Sequence, residues 1–334
     1  MELRTKNGHN MFDVSSMVQK SLRRGLVNDA LYAANEMIPK YRSYLWKRLL
    51  TVSAEDCFGF MTSKIAALRL ADKATDETDR RYIATAVCIL ANAKKNRDAD
   101  YFACNLLNSR DKMTLKEIEP TLSDACSKQY PTKNGHGMFD VSAAFVHSVT
   151  HADYVGAGYT ATELFTRYRK FFWKTVHKIC NSIENDKLKD EIEALNAVDM
   201  EQCEEKNATA IYIAKAVVLI TKASTDKSIV FEDVPNYQLL DISWFDDKFY
   251  TIPNYVYDCH TMIGKRKGKT KEMFVVEEQK ALYPLEKGVF DDSSWERFFE
   301  LCKIGFFVKD AIVPAPDKER MSELNEGSVQ LSLW

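Results

Sequence analysis

A short run of residues near the start of the chain returns 127 residues later, and this recurrence constrains the fold more than any other feature. Thr5-Lys6-Asn7-Gly8-His9 followed by Met11-Phe12-Asp13-Val14-Ser15 reappears as Thr132-Lys133-Asn134-Gly135-His136 followed by Met138-Phe139-Asp140-Val141-Ser142. The register then holds without a gap. Tyr32, Ala34 and Glu36 match Tyr159, Ala161 and Glu163, Tyr41-Arg42 matches Tyr168-Arg169, and Trp46-Lys47 matches Trp173-Lys174. At a spacing of 130, Tyr82-Ile83-Ala84 and Ala86-Val87 match Tyr212-Ile213-Ala214 and Ala216-Val217. Such self-similarity implies one supersecondary unit built twice.

The repeated segments carry helical spacing. Phe12 and Asp13 suit N′ and N-cap, with Met17 closing a hydrophobic staple on Phe12. Val14, Met17, Val18 and Leu22 form one apolar stripe. A second helix is expected over Asn28–Ile38, stopped by Pro39, and a third over Tyr41–Val52 with Leu45, Leu49 and Val52 on one face. Helices over Ser63–Ala71 and Arg80–Ala93 follow, then a polar break at Lys94–Asp98 and a helix near Tyr101–Leu107. The second copy runs over roughly Thr132–Ala223, after a linker holding one short helix. Beyond about Ser228, Pro235, Pro253 and Pro284 suggest irregular structure with a short hairpin. A last helix is expected at the capping box Ser293-x-x-Glu296, before a loosely attached tail beyond Pro314. The expected fold is mainly α: two diverged copies of a helical unit at 1–111 and 132–228, a linker at 112–131 and a less regular extension at 229–334.

Of the 334 residues 46% are hydrophobic, enough for a sizeable core, and the net charge is −2, so no global basic bias announces nucleic acid. Eight cysteines without a C-x-x-C pair lie mostly in apolar runs such as Ala86–Leu90, which fits reduced core thiols and no metal cluster. The start of the chain lacks an apolar signal segment, and the longest apolar stretches, Ile83–Ala91 and Ala210–Ile220, are too short for a bilayer. A cytoplasmic protein is expected.

The first copy also carries Ala30-Leu31-Tyr32-x-Ala34, then Tyr44-Leu45-x-x-Arg48-Leu49-x-x-x-Ser53-x-Glu55-Asp56, then Ala84-x-Ala86-x-x-x-Leu90-Ala91-x-Ala93-Lys94-Lys95-Asn96. These runs resemble the C-terminal region of the MgsA/RarA-type (Werner-helicase-interacting) AAA+ ATPases over about Met11–Leu107. The second copy follows in outline, with Cys180-Asn181-Ser182-Ile183 in place of the run holding Ser53, Glu55 and Asp56. The resemblance implies a helical collar related to clamp-loader subunits, used for oligomerisation and for association with replication proteins and DNA. It is met here duplicated and without the family's ATPase module, a form that looks phage or mobile-element derived. Ser53, Glu55, Asp56, Lys94, Lys95 and Asn96 are the family-like positions.

Gly264-Lys265-Arg266-Lys267-Gly268-Lys269-Thr270 is one residue short of a P-loop, whose length sets how backbone N–H groups surround phosphates. ATP hydrolysis is therefore not expected. Lys265, Arg266, Lys267, Lys269 and Lys271, with Thr270, instead suit contact with a phosphate backbone, and Tyr250, Tyr255 and Tyr257 lie near enough to stack on bases. A solvated charged loop and core aromatics satisfy the same residues. Asp258 and His260 form a carboxylate–histidine pair beside this segment, a candidate for acid–base or metal chemistry. Asn7-Gly8-His9 and its copy read as a turn into a helix. Ser53 and Asp56 suit helix caps, with Glu55 in a buried network. Arg80, Arg81, Lys94, Lys95 and Arg97 suggest a second basic surface.

The expectation is a non-catalytic, cofactor-free binding and assembly protein of DNA replication, recombination or repair, with DNA or replication and recombination proteins as partners and oligomerisation possible. The rivals are a metal-dependent nuclease or nucleotide-processing enzyme centred on Asp258 and His260, and a pure protein-interaction module such as a phage factor.

Overall fold

The computed structural model describes residues 3–290 apart from 77, 108–112, 125, 207 and 227–236. The helix expected at Ser293, the tail beyond Pro314 and Cys302 lie outside the described residues. Within them all regular structure is helical, with isolated bridges in place of strands. The first four helices are α1 (Met11–Arg23), α2 (Val27–Glu55), α3 (Thr62–Lys73) and α4 (Arg81–Asn92). Then come α5 (Asp98–Asn105) and α6 (Leu115–Ile118), followed by α7 (Met138–Thr150), α8 (Tyr154–Asn181), α9 (Asp186–Glu204) and α10 (Ile211–Thr225). Helices α11 (Met262–Arg266) and α12 (Lys271–Lys280) come last. Among the described residues no helix is long and apolar enough to cross a membrane.

The chain forms two compact units, one from Met1–Arg97 and Asp233–Gly288, the other chiefly from Asp98–Glu232. These units do not coincide with the sequence repeats. Helix α5, which follows the first repeat without a break, packs against α10 in the second unit.

In the first unit, Val14, Met17, Val18 and Leu22 are fully buried, as their spacing demands. The cap differs from expectation. Asn10, not Asp13, ends the helix, its side-chain oxygen accepting from the backbone N–H groups of Phe12 and Asp13 at 2.9 and 3.3 Å. Phe12 is 58% exposed, so no staple forms. Pro39 does not stop α2. The helix runs through it and kinks at Tyr41, with φ −131° and ψ 29°. Helix α8 kinks in the same way at Tyr168 (φ −127°, ψ 47°) with no proline in it, so the proline is not the shared cause. What the two kinks share is a tyrosine hydroxyl that donates to the carbonyl of Arg4 (3.2 Å) or of Pro131 (3.0 Å).

The polar joints recur too. Buried Glu36 accepts from Thr5 Oγ1 at 2.8 Å, Asn7 Nδ2 at 2.6 Å and the Asn7 backbone N–H at 2.9 Å. Buried Glu163 accepts from Thr132 and Asn134 in the same way, at 2.6, 2.8 and 2.9 Å. A carboxylate out of water must be matched by donors, and the Thr-Lys-Asn-Gly turn delivers three. Gly8 and Gly135 close that turn at φ 83° and 91°, the left-handed region that glycine enters without strain. Deeper in, Asp72 takes Arg42 (2.5 Å) and the Trp46 indole N–H (2.7 Å), and Asp199 takes Arg169 (2.5 Å) and the Trp173 indole N–H (2.7 Å).

The extension differs from the expected hairpin. Residues 237–290 hold 3-10 turns at Ser243–Phe245 and Asn254–Val256, then α11 and α12, and no strand. The seven described cysteines are free thiols, three of them buried and Cys126 exposed.

Candidate functional site

Helix α1 brings Lys20 and Arg23 into its last turn, followed by Arg24 at its C-cap, where the partial negative charge of the helix end favours cations. Carboxylates from three other segments meet them. Arg23, 2% exposed, bonds Glu55 through Nη2 at 2.6 Å, Asp56 through Nε at 2.8 Å and Glu278 through Nη1 at 2.8 Å. Lys20 lies 2.7 Å from Asp258 and 3.7 Å from Glu278, and Arg24 lies 3.4 Å from Glu278. Burial alone would raise the Glu278 carboxyl, but Arg23, Arg24 and Lys20 hold it down at about 2. Burial likewise works against ionised Asp258, yet His260 and Lys20 keep it well below the usual carboxylate range.

The family-like residues form the scaffold of this cluster. Ser53 Oγ donates to the Leu50 carbonyl at 2.7 Å and meets Thr62 Oγ1 at 3.1 Å, fixing the end of α2 to the start of α3. Glu55 and Asp56 are ligands of Arg23, with Arg97 at 3.5 and 3.6 Å. Lys95 is fully buried, its Nζ donating to the carbonyls of Leu90 (2.8 Å), Ala91 (3.1 Å) and Ala93 at the end of α4. The Asn96 backbone N–H donates to the Asp56 carbonyl at 3.0 Å. The second basic surface does not form. Lys94 pairs with Glu286 at 2.8 Å, Arg80 with Asp246 at 2.5 Å and Arg81 with Asp79 at 2.8 Å, while Lys95 and Arg97 turn inward.

A cleft of about 920 Å³ opens beside this cluster. Arg4, His9, Arg48, His260 and Arg266 bring cationic or cation-capable groups to its wall, and Phe12, Tyr44, Tyr257 and Phe274 bring rings. Of the three carboxylates there, Glu55 and Asp258 are already matched by Arg23 and Lys20, leaving Asp13. Arg48 donates only to neutral groups, Gln19 Oε1 (3.2 Å) and Tyr44 Oη (3.1 Å), among the described residues. His260 is surface-exposed, with Nδ1 3.6 Å from Asp258. Its imidazole is raised to about 9 by the Asp258 and then the Cys259 side chains, so it is a cation at neutral pH. Asp258 is turned to internal work, binding Lys20 through one oxygen and accepting from the backbone N–H groups of His260 (2.8 Å) and Thr261 (3.2 Å) through the other. Among the described residues no three His, Cys, Asp or Glu side chains gather as a metal-ligand set.

The segment Gly264–Thr270 is the last turn of α11, a left-handed Gly268 (φ +73°) and the N-cap of α12, where Thr270 Oγ1 accepts from the Met273 N–H at 3.2 Å. Its basic residues divide. Lys265 and Arg266 are exposed without an ion pair among the described residues, and Arg266 lines the cleft. Lys267 donates to Asn254 Oδ1 at 2.8 Å and sits 5.4 Å from the Tyr257 ring centroid. Lys269 pairs with Glu277, and Lys271 opens α12, half-buried. Tyr250 packs on Tyr32 at 4.4 Å, and Tyr255 bonds Asp29 (2.7 Å) and Ser21 (2.8 Å), so of the three tyrosines only Tyr257 reaches the cleft.

Gly264 explains itself sterically rather than by phosphate binding. A Cβ there would fall 1.9 Å from the Asp258 carbonyl oxygen. Gly264→Ala is therefore expected to displace the Asp258 turn and lower stability by about 1–3 kcal/mol, the usual range for overpacking. A urea midpoint within error of the parent would refute this. Arg4, His9 and Arg48 were not legible as site residues, because their approach to α11 depends on contacts far apart in sequence.

No protein-family model, curated protein or solved structure matches this chain.

Proposed function

We propose that the chain is a nucleic-acid-associated binding and assembly protein of DNA replication, recombination or repair, which holds a phosphate backbone along the cleft of its first unit. The observation that carries this reading is that Arg266 of the basic segment shares one cleft wall with Arg48 and the protonated His260. Cations from separate elements thus converge beside accessible rings, the combination that single-stranded nucleic acid favours: charge tracks the backbone and aromatic faces take bases. The repeated helical unit, with its resemblance to a clamp-loader collar, supports an assembly role and association of copies of the chain.

The test is fluorescence anisotropy of labelled single- and double-stranded DNA across a salt series, comparing the parent with Lys265→Gln/Arg266→Gln and with Arg48→Gln. Each phosphate that a variant no longer neutralises lowers the slope of log affinity against log salt by about 0.7–0.9. The double variant is expected to lose about 1.5 in slope and bind roughly tenfold or more weakly, and Arg48→Gln about half that slope. Absence of binding at low salt, or unchanged slopes, would overturn the reading.

A further inference from the structure

The second unit carries a pair of histidines outside the surface described above. His147 stands in the last turn of α7 and His151 is its C-cap, four residues on. Their rings stack, with centroids 4.0 Å apart and planes 19° from parallel. His147 Nδ1 lies 2.8 Å from Glu119 Oε2. An ionised carboxylate only accepts, so Nδ1 carries the proton in neutral His147. His151 Nδ1 lies 2.9 Å from the His147 carbonyl oxygen, which also only accepts, and so it too is the protonated nitrogen. Both neutral rings are thereby held in one tautomer, with the Nε2 lone pairs left for a ligand.

We infer that His147 and His151 form a two-imidazole site for a late first-row divalent ion, of which Ni²⁺ and Zn²⁺ are the working examples. Such ions bind imidazole nitrogen at about 2.0–2.1 Å, so two nitrogens share an ion when roughly 3–4 Å apart. Rings 4.0 Å apart on adjacent turns of one helix are in that range. The carboxylate behind His147 is the usual outer partner of a metal-bound histidine, fixing ring orientation and raising basicity. Glu119 is itself oriented, since its Oε1 accepts from the Thr121 N–H (3.2 Å) and hydroxyl (2.9 Å), leaving Oε2 to His147. The helix C-terminus adds a negative potential that favours a cation. The positions in α1 that correspond at a spacing of 127 are Lys20 and Arg24, permanent cations held against carboxylates. The second unit has at the same helix end two groups that take up a cation instead of carrying one. With two protein ligands, water fills the remaining coordination positions.

The test is calorimetric titration of the full chain with Ni²⁺ at neutral pH, repeated with Zn²⁺ and reversed by a chelator. One equivalent is expected to bind. His147→Ala and His151→Ala are each expected to weaken binding at least tenfold, and Glu119→Gln about tenfold, the lower end for loss of an outer partner. His177→Ala, whose ring contacts Asn196 at 3.1 Å, is expected to bind as the parent does. Far-ultraviolet circular dichroism checks that the variants keep their helix content. Failure of the parent to bind either ion overturns the inference. So does a His147→Ala/His151→Ala protein that binds like the parent, which would assign the metal to thiols such as Cys126.

Discussion

Arg23→Ala is expected to be among the most damaging single changes in the chain, lowering the free energy of unfolding by about 3–5 kcal/mol, the range for removing one partner of a buried ion cluster. The reason is what it leaves behind. Asp56 and Glu278 are fully buried, and each would lose its closest charge-assisted bond. The effect should depend on pH, and the sign follows from Glu278. In the parent its carboxyl is held at about 2 against an ordinary 4.5. It therefore contributes stability that is present above about pH 4.5 and is lost as pH falls toward 2. Without Arg23 the buried carboxyl moves upward, so protonation relieves the variant at a pH where it is still harmless to the parent. The deficit should be largest near neutrality and shrink toward pH 4. Urea unfolding at pH 7 and pH 4 measures both, and an equal deficit at the two pH values would contradict the assignment.

The second large effect is expected from Asp199→Ala. This fully buried carboxylate takes the Arg169 guanidinium through both oxygens, at 2.5 and 2.7 Å, and the Trp173 indole N–H at 2.7 Å. Its removal orphans a buried donor, worth about 1–3 kcal/mol, and loosens a half-buried cation, so a loss near 3 kcal/mol is expected. Asp199→Asn keeps an acceptor for the indole and should recover part of the loss. Asp72→Ala removes the matching joint with Arg42 and Trp46 and should show a similar loss. Unfolding followed by tryptophan fluorescence is the measurement. An Asp199→Ala protein within about 0.5 kcal/mol of the parent would show that the joint is ornamental.

Much of this architecture was legible in the sequence, and the reasons for what was not are physical. The helices of both repeats follow from local spacing, because an apolar stripe such as Val14, Met17, Val18 and Leu22 is written within a few turns. Boundaries set by one competing donor were missed. Asn10 and Asp13 are both good caps, and the choice went to Asn10, one residue before the helix rather than three residues inside it. Pro39 reads as a stop, yet in the first turn before a tyrosine-tethered kink its missing N–H is tolerated. Asn7 and Glu36 looked like a turn residue and an unremarkable helical glutamate, since nothing local links positions 29 residues apart. The candidate site suffers most from this. The basic run at 265–271 is visible in sequence, but local acids and rings engage Lys267 and Lys269, while Arg48 is brought in by the fold. Lys95 reads as a surface cation in a charged run, and only its distance to three carbonyls shows it to be a helix stop.

The ionic cluster of the first unit also orders events during synthesis. Arg23 emerges from the ribosome early, but Glu278, one of its three carboxylates, lies 255 residues downstream. The second unit, drawn chiefly from Asp98–Glu232, has nearly all of its sequence available well before that. Closing a loop that long costs entropy, which the nascent chain can offset only once the distant partner exists. The middle of the chain therefore matures while the beginning waits, its cationic helix end open to chaperones or to polyanions until the last acid arrives.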